Sequence, residues 1–212
     1  MNPPADPSRA LPDAADARAR QLQAAIRLFA HQGFAKTSTR ELAEAAQVNV
    51  AAISYYFGDK AGLYRAAFLE PMDPTEDLAR FTDPALPLAD ALAGFYAGFL
   101  EPLRQGEDAR LCTKLHLREM LESTGLIENG LARSIQPLHD ALLALLVRHM
   151  GLNAVDDELQ RLAICIEGLG VQLHVGLDIN EVIAPGINTA SGAIDHWHGT
   201  LLRAALAMVE AE

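Results

Sequence analysis

The chain has 212 residues, half of them apolar, with 28 Asp/Glu against 17 Lys/Arg and a net charge of −11. That length can bury a sizeable core in one large domain, or in a small domain joined to a larger one, and no run approaches the roughly 18 apolar residues of a membrane span. The acidic balance speaks against nucleic-acid binding until it is divided: residues 1–70 carry +1 and residues 71–212 carry −12, so the N-terminal third is permissive for contact with phosphates.

In chain order, the opening MNPPADPSRALPDAAD holds prolines and acids where a secretory signal would hold a basic start and an apolar core. It reads as a disordered leader over residues 1–13 of a cytoplasmic protein. Leu22, Ala25, Ile26, Phe29 and Ala30 then recur at helical spacing, with Gly33 as a C-terminal stop. Ser38-Thr39-Arg40-Glu41 is a capping box, in which the Ser38 hydroxyl accepts the Glu41 amide while the Glu41 carboxylate reaches back. Leu42, Ala43 and Ala46 give this second helix a small apolar face. Asn49 caps a third helix, from about Val50 to Tyr56. Asp59 caps a fourth, Lys60 to Glu70, closed by Pro71. The Pro- and Asp-rich stretch 71–87 has weak periodicity and marks a boundary between a head over 14–72 and a body over 80–210.

In the body, helical patterns cover about 86–104, 108–122, 131–150, 156–178 and 190–210. Stripes such as Leu138, Leu142, Leu145 and Leu146 suit helices packed in a bundle. No alternating strand pattern or repeat occurs, so the fold class is all-α: a three-helix helix-turn-helix head and a C-terminal helical bundle. Cys112 and Cys165 lie far apart and outside any CxxC pair, which reads as two reduced thiols.

The passage from Ser38 to Lys60 carries the spacing of a helix-turn-helix, whose second helix enters the DNA major groove. Over residues 14–72 the chain resembles the DNA-binding domain of TetR-family transcriptional regulators. The resemblance rests on Ala24-Ala25, Leu28-Phe29, Gly33-Phe34, Thr37 and Arg40-Glu41-Leu42-Ala43, and continues through Val48, Ile53, Tyr55, Phe57, Lys60 and Leu63. AISYYFGDK in the head, with Leu117-Arg118-Glu119-Met120 and Gln136-Pro137-Leu138 beyond it, is similar to the CecR-like branch of that family. Three departures stand out. Gln47 replaces a usual glycine at a turn held at positive φ. Val50 and Ala51 stand where a basic residue and a glycine are common, and Ser54 where tyrosine is frequent. Fewer charged contacts imply a shallow salt dependence.

The resemblance implies DNA contacts from Thr37, Ser38, Thr39, Arg40, Asn49, Val50, Ala51, Ser54, Tyr55, Tyr56 and Lys60. Ser38 leaves helix N-terminal amides for a phosphate, with the Thr37 and Thr39 hydroxyls beside them. Arg40 can reach a phosphate or a guanine edge. Val50 and Ala51, with Ala52, offer methyl surfaces suited to thymine, and Ser54 a hydroxyl for a base. Tyr55 and Tyr56 can give phenol hydroxyls to phosphates, and Lys60 adds its charge to the positive end of the fourth helix. Plainer roles compete: one tyrosine packing the head, Ser38 and Glu41 serving only as caps, Lys60 solvated. Phe57, Ile53, Leu42 and Val48 read as core.

For the body, the family implies dimerisation and a pocket for an unidentified small-molecule effector. Independently, one short recognition helix reads too few bases, which a two-fold dimer remedies. The helices 156–178 and 190–210 are long enough for the seam, and Gly168, Gly170 and Gly176 permit either close helix approach or local flexibility. Phe95, Phe99, Leu103, Leu115, Met120, Leu121, Cys165, Leu169 and His174 are pocket candidates, with plain core as the alternative for each. The acidic body favours a neutral or cationic apolar effector. For catalysis only His116 with Glu119, and Asp195-His196-Trp197-His198, are suggestive, and His196 and His198 point in different directions on a helix. HExxH, GxSxG and P-loop motifs are absent, as are paired zinc-ligating cysteines. The expectation is a non-enzymatic, cofactor-free and metal-free regulator: a homodimeric, ligand-responsive repressor of a palindromic double-stranded DNA operator, without a membrane partner. The alternative is a helical interaction module without sequence-specific DNA binding.

Overall fold

The computed structural model describes residues 10–71, 78–127 and 130–211, with the side chains of 10–14 and 130–134 excepted. Ten α-helices and no strand occur among the described residues, the all-α class expected. They fall into two compact units, Met1–Met72 with Lys114–Glu128, and Asp73–Thr113 with Asn129–Glu212.

The first unit is built on α1 (Ala10–Lys36), α2 (Thr39–Ala45), α3 (Val50–Phe57) and α4 (Lys60–Leu69). α1 packs on α2 and α4, and α3 packs on the same two. Each helix presents apolar residues three or four apart, so they share one face: Ala25, Phe29 and Ala30 from α1, Leu42 and Ala43 from α2, Ile53 from α3, Leu63, Tyr64, Ala67 and Phe68 from α4, all buried. The Phe29 and Tyr64 rings meet edge to face at 4.9 Å, and Phe34 reaches Tyr64 at 5.2 Å. Burying one such ring contributes about 1.5–3 kcal/mol.

Two expectations change here. Helix α1 starts at Ala10, inside the stretch assigned to a disordered leader; Pro12 falls in the first turn, where its missing N–H costs nothing. Residues 1–9 of that leader lie outside the described residues. The head also extends beyond 14–72, because residues 114–128 complete its core. Helix α6 (Glu107–Leu121) supplies Glu119, whose Oε2 accepts the Tyr64 hydroxyl at 2.6 Å, and His116, whose ring lies 3.9 Å from that of Phe68. Glu119 is 2% exposed, and its Oε1 accepts the Thr124 amide and hydroxyl at 3.0 and 3.1 Å. Burial, together with the neighbouring Glu119, pushes the Tyr64 phenol above its ordinary range.

The second unit contains α5 (Leu88–Gln105), the start of α6, α7 (Gly130–Met150), α8 (Asp157–Val175), α9 (Leu177–Ile183) and α10 (Ala193–Glu210). α5 packs on α7, α8 and α10, and α8 on α7, α9 and α10. Its core joins Leu92, Phe95 and Tyr96 to Leu142, Leu146 and Ile166. The Tyr96 hydroxyl donates to the Ile166 carbonyl at 3.0 Å, which satisfies a buried donor. Gly170 is needed at the α5–α8 crossing, since a Cβ there would lie 2.7 Å from the Phe99 ring, whereas one at Gly168 would meet nothing within 4 Å. The single helix expected over 156–178 is two, broken at Gly176 and bent by 76°. A Cβ at Gly176 would stand 2.8 Å from the Gln172 carbonyl, so this tight break needs glycine. Among the described residues no single helix is long and apolar enough to cross a membrane.

Between α7 and α8, His139 sets Nδ1 2.8 Å from Glu167 Oε1 and Nε2 2.7 Å from Gln160 Oε1. Burial alone would push its pKa down, but the bonds to Gln160 and Glu167 outweigh it and carry the ring above its ordinary 6.5. A raised folded-state pKa gives stability that is full below the unfolded value and fades as pH climbs through the folded one. The urea midpoint should therefore fall as pH climbs from below 6.5 through the raised pKa of this ring. His139→Gln should flatten that slope; an unchanged slope would show that His139 is not its source.

Candidate nucleic-acid interface

The α2–turn–α3 element is fixed by short-range bonds. Ser38 Oγ accepts the Glu41 amide at 3.2 Å and the Ser38 amide donates to Glu41 Oε2 at 2.8 Å, completing the capping box. The Ser38 amide, and then its hydroxyl, hold the Glu41 carboxyl below its usual range. At the other end of α2, the Val48 amide donates to the Ala43 carbonyl at 2.9 Å and the Arg20 Nε to the Ala46 carbonyl at 3.2 Å. Between them Gln47 takes φ +54°, the left-handed conformation that glycine adopts without strain. Gln47→Gly should raise head stability by about 1 kcal/mol, read as a shift in urea midpoint; no shift would mean that the turn carries no strain.

Asn49 Oδ1 accepts the Ala51 amide at 3.0 Å and starts α3. Ile53, 1% exposed, faces inward, while Val50, Ala51, Ser54 and Tyr55 face out. Val50 pairs with Ser54 and Ala51 with Tyr55 at four-residue spacing, so together they form one continuous ridge. Tyr55 is 81% exposed and its ring rests against that of Tyr56 at 4.8 Å. Tyr56 is half-buried and links this ridge to Phe57. The Arg18 guanidinium covers the Phe57 ring at 5.0 Å while its two terminal nitrogens grip Glu70 at 3.0 and 2.6 Å. Thr39 and Arg40 are exposed at the start of α2.

One candidate contact is corrected, and a second has partners inside the head. Thr37 is buried, and its hydroxyl donates to the Gly33 carbonyl at 2.8 Å, so it terminates α1 at the Gly33 kink instead of meeting a phosphate. Lys60 directs Nζ at the Phe34 and Thr37 carbonyls, both at 2.9 Å, and stands 4.0 Å over the Phe34 ring. Two of its three donors therefore close the C-terminal end of α1. Cap spacing could not reveal the Lys60 role, which joins segments 23 and 26 residues apart, whereas the Thr37 bond reaches back only four residues.

In the second unit the pocket candidates divide. Phe95, Phe99 and Leu169 belong to the packed core. His174 donates Nε2–H to the Phe99 carbonyl at 2.7 Å, and burial, with Arg110 nearby, keeps its pKa below the ordinary value. Cys165 is exposed. Met120 and Leu121 are 44% and 77% exposed and belong to the first unit, as does buried Leu115, so none of the three lines a bundle cavity. Leu103 does line one, of about 230 Å³, together with Arg110, Asp178, Glu181, Asn188 and Trp197. Apart from Leu103, sequence reading did not assign these residues to a pocket, because four of them sit on or after the short α9, whose break at Gly176 the periodicity hides. His198 donates Nε2–H to the Ala93 carbonyl at 2.9 Å, a structural role, while His196 is exposed.

A capped eight-residue helix presenting methyls, a hydroxyl and a phenol outward on a three-helix head, with a separate helical bundle, defines a helix-turn-helix DNA-binding regulator. Comparison with known proteins agrees. The family "Bacterial regulatory proteins, tetR family" matches residues 22–67, and "HTH-type transcriptional dual regulator CecR, C-terminal domain" matches residues 88–211. The "Probable HTH-type transcriptional regulator YttP" of Bacillus subtilis (strain 168) is 55% identical over 42 residues, and the chain spans 20% of that relative's length. A TetR-like transcriptional regulator from Rhodococcus sp. RHA1 shares the fold with a TM-score of 0.61 and 23% identity, over 90% of this chain and 96% of that one. NalD of Pseudomonas aeruginosa, described as the secondary repressor of the MexAB-OprM multidrug efflux pump, shares it with a TM-score of 0.60 and 18% identity, over 92% and 97%. The chain belongs to the TetR family of DNA-binding transcriptional regulators, in its CecR-like branch.

Proposed function

We propose that the chain acts in the cytoplasm as a ligand-responsive repressor that binds a palindromic operator as a homodimer. The observation that carries the reading is the exposed ridge of Val50, Ala51, Ser54 and Tyr55 on a helix of only eight residues. Such a helix reads a few base pairs, and selectivity requires a second copy about one DNA turn away. A surface suited to that copy runs along α8 and α9, where Ile164, Val175, Ile179, Val182 and Ile183 are each more than half exposed. Ile164, Gly168 and Val175 share one face of α8, and Gly168 leaves room for a neighbouring backbone. The contacts with DNA come from Ser38, Thr39, Arg40, Asn49 and the ridge, with Tyr56 supporting Tyr55. NalD, of the same fold, is described as a repressor. Effector binding in the second unit favours a conformation with lower operator affinity, and the coupling in such systems is about 1–3 kcal/mol.

The test is selection of bound sequences from a random duplex pool, paired with sedimentation of the purified chain. One enriched palindrome with half-sites about a helical turn apart, bound by a dimer, supports the proposal. Absence of enrichment at low salt would leave the chain as a helical interaction module.

A further inference from the structure

Helix α3 is fastened to the head core by one fully buried side chain, Ile53. A single anchor leaves so short a helix free to roll about its own axis. Phe57, four positions on, shares the face of Ile53 and is half-buried. Its ring is covered by the Arg18 guanidinium of α1, which stands 5.0 Å from the ring centre. That guanidinium is gripped at two points: Nη1 donates to Glu70 Oε2 at 3.0 Å and Nη2 to Glu70 Oε1 at 2.6 Å. Glu70 is the C-cap of α4. The core side of α3 packs on α2 and α4; Arg18 adds a hold from α1 at the end of the helix.

Two features set this arginine apart from a phosphate contact. Its charge is matched by the Glu70 carboxylate, which takes both of its terminal nitrogens. What it holds also leads to the exposed ridge. The Phe57 ring lies 6.4 Å from that of Tyr56, and Tyr56 meets Tyr55 edge to face at 4.8 Å. With Ile53 and Phe57 both fixed, the direction in which Val50, Ala51, Ser54 and Tyr55 project is fixed as well. A planar guanidinium that covers a ring and pairs through two nitrogens is a geometry lysine cannot reproduce.

We propose that Arg18 is a positioning residue for DNA recognition: oriented by Glu70, it clamps Phe57 and thereby sets the rotation of α3 from which the ridge meets base edges. The proposal rests on that ridge as the DNA-reading surface and places one determinant of its specificity outside it.

Anisotropy titrations of the full chain should compare the selected duplex with a scrambled one of equal length. Arg18→Ala should weaken the selected duplex about fivefold and leave the scrambled one unchanged. The salt slope and the urea midpoint should stay nearly constant, since the ion pair is half-exposed. Arg18→Lys keeps a cation for the ring but loses the two-point grip, and should recover part of the loss. Glu70→Ala should also weaken the selected duplex, although removing a negative charge would strengthen binding if charge alone acted. Equal loss on both duplexes with a shallower salt slope would make Arg18 a phosphate contact and overturn the proposal. Tighter binding by Glu70→Ala would overturn it too. A loss in Tyr55→Ala with none in Arg18→Ala sinks only the positioning role. Normal binding in both variants, or failure to select any duplex, sinks the ridge as the reading surface and the positioning role with it.

Discussion

Glu119→Ala should remove about 3–5 kcal/mol of stability from the head, the largest effect expected of any single substitution considered. The carboxylate is buried and accepts from the Tyr64 hydroxyl and from the amide and hydroxyl of Thr124. Alanine would leave those donors buried and unmet, in addition to a void beside the Phe29–Tyr64 ring pair. Glu119→Gln keeps an amide oxygen in the same place and should cost about 1–2 kcal/mol. Tyr64→Phe removes the donor with its hydroxyl and should fall between the two. Urea unfolding followed by circular dichroism measures all three, and an alanine variant within 1 kcal/mol of the parent chain would show that the network adds little.

Tyr55→Ala should lower affinity for the selected duplex ten- to a hundredfold, and Arg40→Ala should do the same, at about 1–3 kcal/mol each. Tyr55 is 81% exposed, so its loss should leave the unfolding curve unchanged. Arg40→Ala should also reduce the slope of log affinity against log salt by about one per head, because α3 itself carries no cation. Lys60→Ala tests the other kind of role. Its ammonium is bonded to the Phe34 and Thr37 carbonyls, so stability should fall along with affinity while the salt slope stays nearly constant. Steepness lost at Lys60 and kept at Arg40 would reverse these assignments.

The residues that were legible in the sequence share a short reach. Ser38 with Glu41, Asn49 with Ala51 and Asp59 with Gly62 are bonds across two or three positions, and chain spacing alone shows them. The positive φ at Gln47 was also legible, since a turn of that length demands it. What the sequence hid lies far apart along the chain. Tyr64 and Glu119 are separated by 55 residues, and Lys60 and Phe34 by 26. Charge suggested Lys60 for a phosphate because a free ammonium is the default for a surface lysine; two helix-end carbonyls take two of its three donors. The cavity was missed for a similar reason, since its carboxylates belong to a short helix whose apolar pattern continues that of α8 across the break at Gly176.

The inclusion of residues 114–128 in the head bears on how this regulator can be recombined with others. Sensor engineering commonly treats a DNA-reading module as a contiguous N-terminal cassette, to be cut out and joined to a foreign receptor. A cassette cut here after residue 72 would carry Tyr64 and Phe68 but leave Glu119 and His116 behind. A working chimera therefore has to transplant two stretches of sequence, with the second graft placed inside the recipient's own receptor domain.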